Sequence, residues 1–174
     1  PETHPVNPNS PYSASKASSD LLALSYFRTF GLDVMVTRCS NNYGPFQFPE
    51  KIIPFFVTNI IEGRKVPIYG NGLNIRDWLH VDDHCRGIEL VIEKGHSGEI
   101  YNIGGGRELT NMDLTLRILQ LMGKTSDSIV RVADRKGHDQ RYSVDISKAT
   151  SQLGYRPSVD FDEGLSNTIN WYRN

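Results

Sequence analysis

Apolar and polar positions along the chain change period several times, and the changes divide it into alternating helical and strand segments. From Pro11 to about Phe30 no further Pro or Gly intervenes. Ser10 suits the cap of such a helix, Pro11 its first position and Gly31 its end. The apolar residues Ala14, Ala17, Leu21, Leu22, Leu24, Tyr26, Phe27 and Phe30 cover more than one face, which predicts burial on two sides. Asp33 to Arg38 is short and β-branched, a strand apolar on both faces that runs into the polar loop Cys39 to Pro45. Lys51 to Glu62 has helical spacing with Pro54 in its first turn. Val66 to Tyr69 reads as a strand entering the tight turn Gly70-Asn71-Gly72, and Asn74 to Val81 as a second one.

The pattern continues through the second half. Asp82 or Asp83 is expected to cap a helix reaching Lys94, with a turn at Gly95 to Gly98 and a strand over Glu99 to Ile103. Thr110-Asn111-Met112-Asp113 has the form of a capping box, opening a helix that ends at Gly123. A strand over Ile129 to Ala133 follows, then a helix capped by Asp145 and a last one started by Asp162, running toward Trp171 and Tyr172. Helices and strands in alternation predict an α/β fold. Residues 1 to 9, rich in Pro and Asn, read as an extended loop, so the chain reads as a piece of something longer.

A formal net charge of −1 over 174 residues, with the signs mixed, gives no support to nucleic-acid or anionic-membrane binding. Any anion site must be local. No apolar run is long enough to span a bilayer and the amino terminus lacks the pattern of a signal peptide, so cytoplasm is the expected compartment. Cys39 and Cys85 read as reduced thiols rather than a disulfide framework.

Candidate chemistry is concentrated in a few places. Tyr12 and Lys16 stand one helical turn apart, so the ammonium can lie beside the phenol oxygen. A free phenol, with a pKa near ~10, is a poor base at neutral pH, and a nearby cation favours its phenolate. The same spacing is also ordinary on a solvated helix. Asn41 and Asn42, at the carboxyl end of a strand, are placed either to bind a ligand or to satisfy a Gly-Pro turn. Arg76 suits a phosphate or a surface ion pair. His80 and His84, with two aspartates between them, suggest a metal, but no third ligand is evident and no metal is expected. Gly104-Gly105-Gly106 lacks the spacing of a dinucleotide fingerprint. The basic loop Asp134 to Arg141 can cover an anion or simply be solvated.

Taken together, Tyr12-Ser-Ala-Ser-Lys16, Arg38-Cys-Ser-Asn-Asn-Tyr-Gly-Pro45, Gln47-Phe-Pro-Glu-Lys51, Tyr69-Gly-Asn-Gly72, Arg76-Asp-Trp-Leu-His-Val-Asp-Asp-His84 and Tyr101-Asn-Ile-Gly-Gly105 resemble the dTDP-glucose 4,6-dehydratases. These are extended short-chain dehydrogenases that act on nucleotide sugars. The resemblance implies the carboxyl-terminal part of a Rossmann-like parallel sheet, plus a small mixed α/β substrate lobe. Residues 1 to 45 would end the NAD-binding domain and 46 to 174 would form mainly the lobe, with about 82 to 104 returning to the first.

By the same resemblance Tyr12 is the catalytic base, Lys16 holds the nicotinamide ribose and Asn42 contacts NAD. Asn41, Lys51, Ile52, Pro67, Ile68 and Tyr69 line the nucleotide-sugar site. Arg76 and Asn111 meet the nucleotide diphosphate, and Asp134, Arg135, Lys136, Gly137 and His138 close over it. The implied reaction oxidises the hexose at C4 with hydride passing to NAD, eliminates water across C5 and C6, and returns the hydride to C6. The family's glycine-rich NAD loop and its Asp-Glu pair precede the Tyr motif and do not occur in these 174 residues. The chain thus resembles the carboxyl-terminal half, is expected to be inactive alone, and is expected to dimerise through the Pro11 to Phe30 helix. Two alternatives stay open: a 4-epimerase or decarboxylase of the same family, and a non-catalytic nucleotide-sugar-binding or oligomerisation module.

Overall fold

The computed structural model describes residues 1–174. In chain order the elements are α1 (Pro11–Phe30), β1 (Val36–Cys39), β2 (Asn41–Tyr43), α2 (Ile52–Ile61), β3 (Val66–Tyr69) and β4 (Ile75–His80). There follow α3 (Val81–Lys94), β5 (Ile100–Ile103), β6 (Glu108–Thr110), α4 (Asn111–Leu121), β7 (Ile129–Val132), β8 (Arg141–Tyr142), α5 (Ser147–Leu153) and α6 (Phe161–Arg173). The fold is α/β, as the alternation predicts. No helix is long and apolar enough to cross a membrane.

The strands form three small sheets. β1 pairs in parallel with β5, and β3 in parallel with β7. β4 is the hub of the third, taking β2 in parallel, β6 antiparallel and β8 in parallel. Two cores result. The larger joins α2, β3, β4, α4 and α6 through Ile53, Phe56, Ile68, Trp78, Ile118 and Leu165. The smaller joins β4, α3, β5 and α5 through Leu79, Val91, Tyr101, Ile103 and Leu153, with Tyr155 just beyond α5. Trp78 and Leu79 are adjacent, and the period of two along a strand sends one into each core.

Local signals fixed most helix ends. The Ser10 side chain accepts from Ser13 N–H, Pro11 opens α1, and Gly31 closes it in the left-handed region at φ 66°. Thr110 caps α4 through Asp113 N–H. Pro54 lies in the first turn of α2, where its missing N–H costs nothing. Elsewhere tertiary partners changed the expectation. The α3 cap is His80, whose ring accepts from Asp82 N–H, rather than Asp82 or Asp83. Asp83 is buried, its carboxylate accepting from Ser158 N–H, Ser158 Oγ–H and Val159 N–H at 3.0 Å. The cap of α6 is Asp160, two residues before the expected Asp162. Asp145 accepts from Ser147 N–H and so serves α5 from just outside it.

Two further corrections concern strands and burial. The expected polar loop from Cys39 to Pro45 contains β2, and the expected strand at Asp33 to Arg38 begins only at Val36, where pairing with β5 starts. β6 had no signal in its three residues. On α1 only Leu24 is buried, while Leu21, Leu22 and Phe30 are 62%, 61% and 68% exposed. The helix is therefore covered on one side in this chain, not two. β1 likewise has β5 as its single neighbour.

Packing explains Gly104 and Gly105. A Cβ on Gly105 would lie 1.8 Å from the Trp78 carbonyl oxygen, so only glycine lets this backbone cross β4. The crossing is held by the buried Asp77 carboxylate, which accepts from Gly105 N–H at 3.2 Å and Arg107 N–H at 2.8 Å. Burial pushes the Asp77 carboxyl up, and the nearby Ser40 side chain and these two N–H groups pull it back. Gly105→Ala is expected to destabilise the fold by about 3 kcal/mol, since the clash is with backbone. Urea unfolding read by circular dichroism measures it, and an unchanged midpoint would refute the packing account.

Candidate functional site

The expected cofactor residues meet at the carboxyl end of β1. Tyr12 and Lys16 occupy successive turns at the start of α1, both exposed, Tyr12 at 73%. Asp20, one turn further on, fixes the helix to β1 through a 2.7 Å ion pair with Arg38. Cys39 ends β1, and both cysteines are free thiols. Burial pushes the Cys39 thiol up, while the Asn42 side chain and the Lys16 ammonium pull it down, so those groups share one neighbourhood. The Cys39 carbonyl accepts from the Tyr142 hydroxyl at 2.9 Å. Burial raises the Tyr142 phenol, with Cys39 and Tyr12 among its neighbours.

Asn42 is held on three sides. Its Nδ2 donates to the Ser40 carbonyl at 3.1 Å, its Oδ1 lies 2.8 Å from His84 Nδ1, and its own carbonyl accepts from Gln47 Nε2 at 2.7 Å. Gln47 is in turn fixed by the Tyr172 hydroxyl, which donates to its carbonyl. Phe46, in the left-handed region at φ 62°, packs tilted against Trp171 with ring centroids 4.7 Å apart. The segment between Asn42 and Lys51 is thus anchored on α6. Lys51 is exposed at the amino end of α2, and Ile52, the first residue of that helix, packs partly into the larger core.

The expected substrate residues gather around the ends of β3 and β4. Ile68 is a core side chain, so what it offers a ligand is backbone; Pro67 and Tyr69 are half-buried. Arg135 lies over the Tyr69 ring, 4.2 Å from its centroid. Asp134 accepts from Arg135 N–H at 2.8 Å and faces His138 Nδ1 at 2.7 Å, and the His138 contact is the main cause holding its carboxyl below the usual range. Asn111 starts α4 and donates its N–H to the Asn74 carbonyl at 2.9 Å. Arg76 donates to the Ile75 carbonyl at 2.7 Å and the Asp139 carbonyl at 2.9 Å; burial lowers its pKa, with Asp139 acting against that. Lys136 is exposed, whereas Asn41 is half-buried in β2 beside Trp78.

One segment runs between the two groups of residues. From Arg135 over Tyr69 the chain passes Gly137, where an added Cβ would lie 3.5 Å from the carbonyl oxygen of Asn9, three residues before Tyr12. Next the Gln140 carbonyl accepts from Ile75 N–H, β8 pairs with β4, and Tyr142 reaches Cys39. Sequence reasoning missed Tyr142, Gln47 and the partnership of His84 with Asn42. His84 had drawn notice only as a metal candidate, and no group of three His, Cys, Asp or Glu side chains comes together. A cavity of about 370 Å³ beside Trp78, His80 and Asp83 is lined by none of the expected residues.

A family model described as GDP-mannose 4,6 dehydratase matches residues 1–168. A dTDP-glucose 4,6-dehydratase of Streptomyces antibioticus is 66% identical over 173 residues, covering 99% of this chain and 52% of that protein. The crystal structure of DesIV, a dTDP-glucose 4,6-dehydratase of Streptomyces venezuelae solved with NAD bound, has a TM-score of 0.98 at 59% identity, covering 99% of this chain and 53% of that one. The Bacillus anthracis dTDP-glucose 4,6-dehydratase, also solved with NAD, has a TM-score of 0.95 at 52% identity, covering 99% and 55%. The chain spans about half the length of the curated relatives it matches, and its fold is the Rossmann-like α/β fold of these dehydratases. With the family's model running from the first residue into the last helix, the chain belongs to the GDP-mannose 4,6-dehydratase family.

Proposed function

We propose that the protein of which these residues form part is an NAD-dependent dehydratase that converts dTDP-glucose to dTDP-4-keto-6-deoxyglucose. The observation that carries this reading is the 134–142 segment, which ties Tyr69 and Arg76 to the neighbourhood of Tyr12, Lys16 and Asn42. A ligand lying along that segment spans a nucleotide diphosphate at one end and a reacting sugar beside Tyr12 at the other. The relatives at 66% and 61% identity carry the same activity in their names.

The residues present fit NAD. Tyr12 and Lys16 are exposed on one helix, and the Asn42 amide keeps one N–H after bonding Ser40. When bound, NAD supplies the hydride acceptor for oxidation at C4 and the hydride donor for reduction at C6. The Tyr12 oxygen takes the proton of the sugar C4 hydroxyl, and the Lys16 ammonium stabilises the charge that oxygen carries. Arg76 and Asn111 bind the diphosphate portion, Asn41, Lys51, Ile52, Pro67, Ile68 and Tyr69 line the sugar and base, and Asp134 to His138 cover them. The acid and base for loss of water across C5 and C6, and the glycine-rich cradle for the pyrophosphate, belong in our reading to sequence outside these 174 residues. Residues 1 to 45 and about 82 to 104 are then the NAD-binding side and the rest mainly the substrate lobe. We also infer a cytoplasmic homodimer formed through α1, supported by the apolar face of Leu21, Leu22 and Phe30 left uncovered here.

Tyr12→Phe in the full-length enzyme is expected to lower kcat by roughly 10²- to 10⁴-fold with substrate affinity little changed, because only the proton acceptor is lost. Formation of the 4-keto sugar measures it, and near-normal turnover would sink the assignment; an epimerised or decarboxylated product from the parent enzyme would favour the sibling reactions. Arg76→Ala should weaken dTDP binding by about 2 kcal/mol, roughly thirtyfold, in calorimetry. Unchanged affinity would return Arg76 to a structural role. Leu22→Glu should convert a full-length dimer to monomer in size-exclusion chromatography with light scattering, and a persisting dimer would exclude this face.

A further inference from the structure

We propose that His84 is a positioning residue that sets the orientation of the Asn42 amide and thereby the protein's affinity for NAD. The proposal rests on the cofactor reading above. The orientation follows from the partners. The Ser40 carbonyl can only accept, so the amide nitrogen of Asn42 faces it and the amide oxygen faces His84. An amide oxygen can only accept in its turn. His84 Nδ1 must therefore carry hydrogen, and the neutral ring is the Nδ1–H tautomer. Burial, which lowers the His84 pKa, favours that neutral ring.

The ring is held by a rigid element. His84 lies in α3, whose start is tied down by His80 to Asp82 N–H and by Asp83 to the Ser158 and Val159 backbone. The Asn42 backbone is fixed independently through Gln47. The Asn42 amide is held at its nitrogen by the Ser40 carbonyl and at its oxygen by the Nδ1–H bond, which together fix its rotation. The amide is left with one N–H and one oxygen lone pair, both in fixed directions, to offer a ligand on the side where Lys16 and Cys39 lie. Loss of the ring leaves the amide oxygen unpartnered and the group held by the Ser40 bond alone, so part of the cost of ordering it falls on binding.

The test uses full-length enzyme freed of bound nucleotide, with NAD affinity read by calorimetry and dTDP affinity and thermal unfolding measured alongside. His84→Ala is expected to weaken NAD binding roughly tenfold, the worth of one well-placed hydrogen bond, with dTDP affinity within about twofold. Asparagine can present an N–H where His84 Nδ1 stands, whereas glutamine reaches toward the Nε2 position. His84→Asn should therefore restore NAD affinity and His84→Gln should not. In the Asn42→Ala background, His84→Ala should cost nothing further, because it acts through Asn42. Parent-like NAD affinity in His84→Ala, or equal affinities in the Asn and Gln variants, overturns the proposal while Asn42→Ala remains impaired. Unchanged NAD affinity in Asn42→Ala itself overturns the cofactor reading of Asn42, and the His84 proposal with it.

Discussion

The structure depends on β4, a six-residue strand that serves two cores and three other strands at once. Alternation along it sends Trp78 toward α2, α4 and α6, and Leu79 toward α3, β5 and α5. Its two halves have different neighbours: β2 runs beside Trp78 to His80, while β6 and β8 pair with the stretch from Ile75. A one-residue slip of β4 would exchange the two cores' side chains and at the same time misplace Asn42 and Arg76. The bidentate pair of Arg141 with Glu108 joins β8 to β6 across β4 and resists such a slip, though its exposure to water keeps its own worth small.

That hub also explains why a buried carboxylate is tolerated. Asp77 lies between Arg76 and Trp78, and an unpaired charge there would cost several kcal/mol. Its two oxygens are answered by the N–H groups of Gly105 and Arg107, which the chain can bring so close only because Gly105 has no side chain. Strand, carboxylate and Gly105 form one device.

What the sequence made legible was what neighbours in sequence decide. Ser10, Pro11 and Gly31 bound α1, Thr110 and Asp113 open α4, and Gly154 ends α5 at φ 74°, all within a turn of their own helix. Asp83 looked like a cap because its residue type and position allow it, yet its carboxylate is committed to Ser158 and Val159, more than seventy positions away. β2 and β6, three residues each, exist through pairing with β4 and carry no period of their own. The two-sided apolar pattern of α1 was legible, but what covers its outer side was not, because nothing in these residues does. In the site, the motif residues were legible through family resemblance. The Asn42–His84 bond was not, since 42 positions separate the partners and neither residue type is unusual where it stands.

Arg76 shows how a residue can be committed to the fold and still be free for a ligand. Two of its N–H donors go to the Ile75 and Asp139 carbonyls, which are neutral, and it makes no direct ion pair, though the Asp139 charge favours its protonated form. A guanidinium has five donors in a planar fork, and fixing two leaves three in defined directions. The rotamer entropy of a free arginine is spent during folding rather than on binding, and partial burial weakens the water that an incoming anion must displace. The same segment that fixes Arg76 through Asp139 also carries Arg135 to Tyr69 and Tyr142 to Cys39. Disturbing any one of these contacts therefore bears on the other two, which makes the 134–142 segment a mechanical link between the residues proposed to bind the diphosphate and those proposed to meet the reacting sugar.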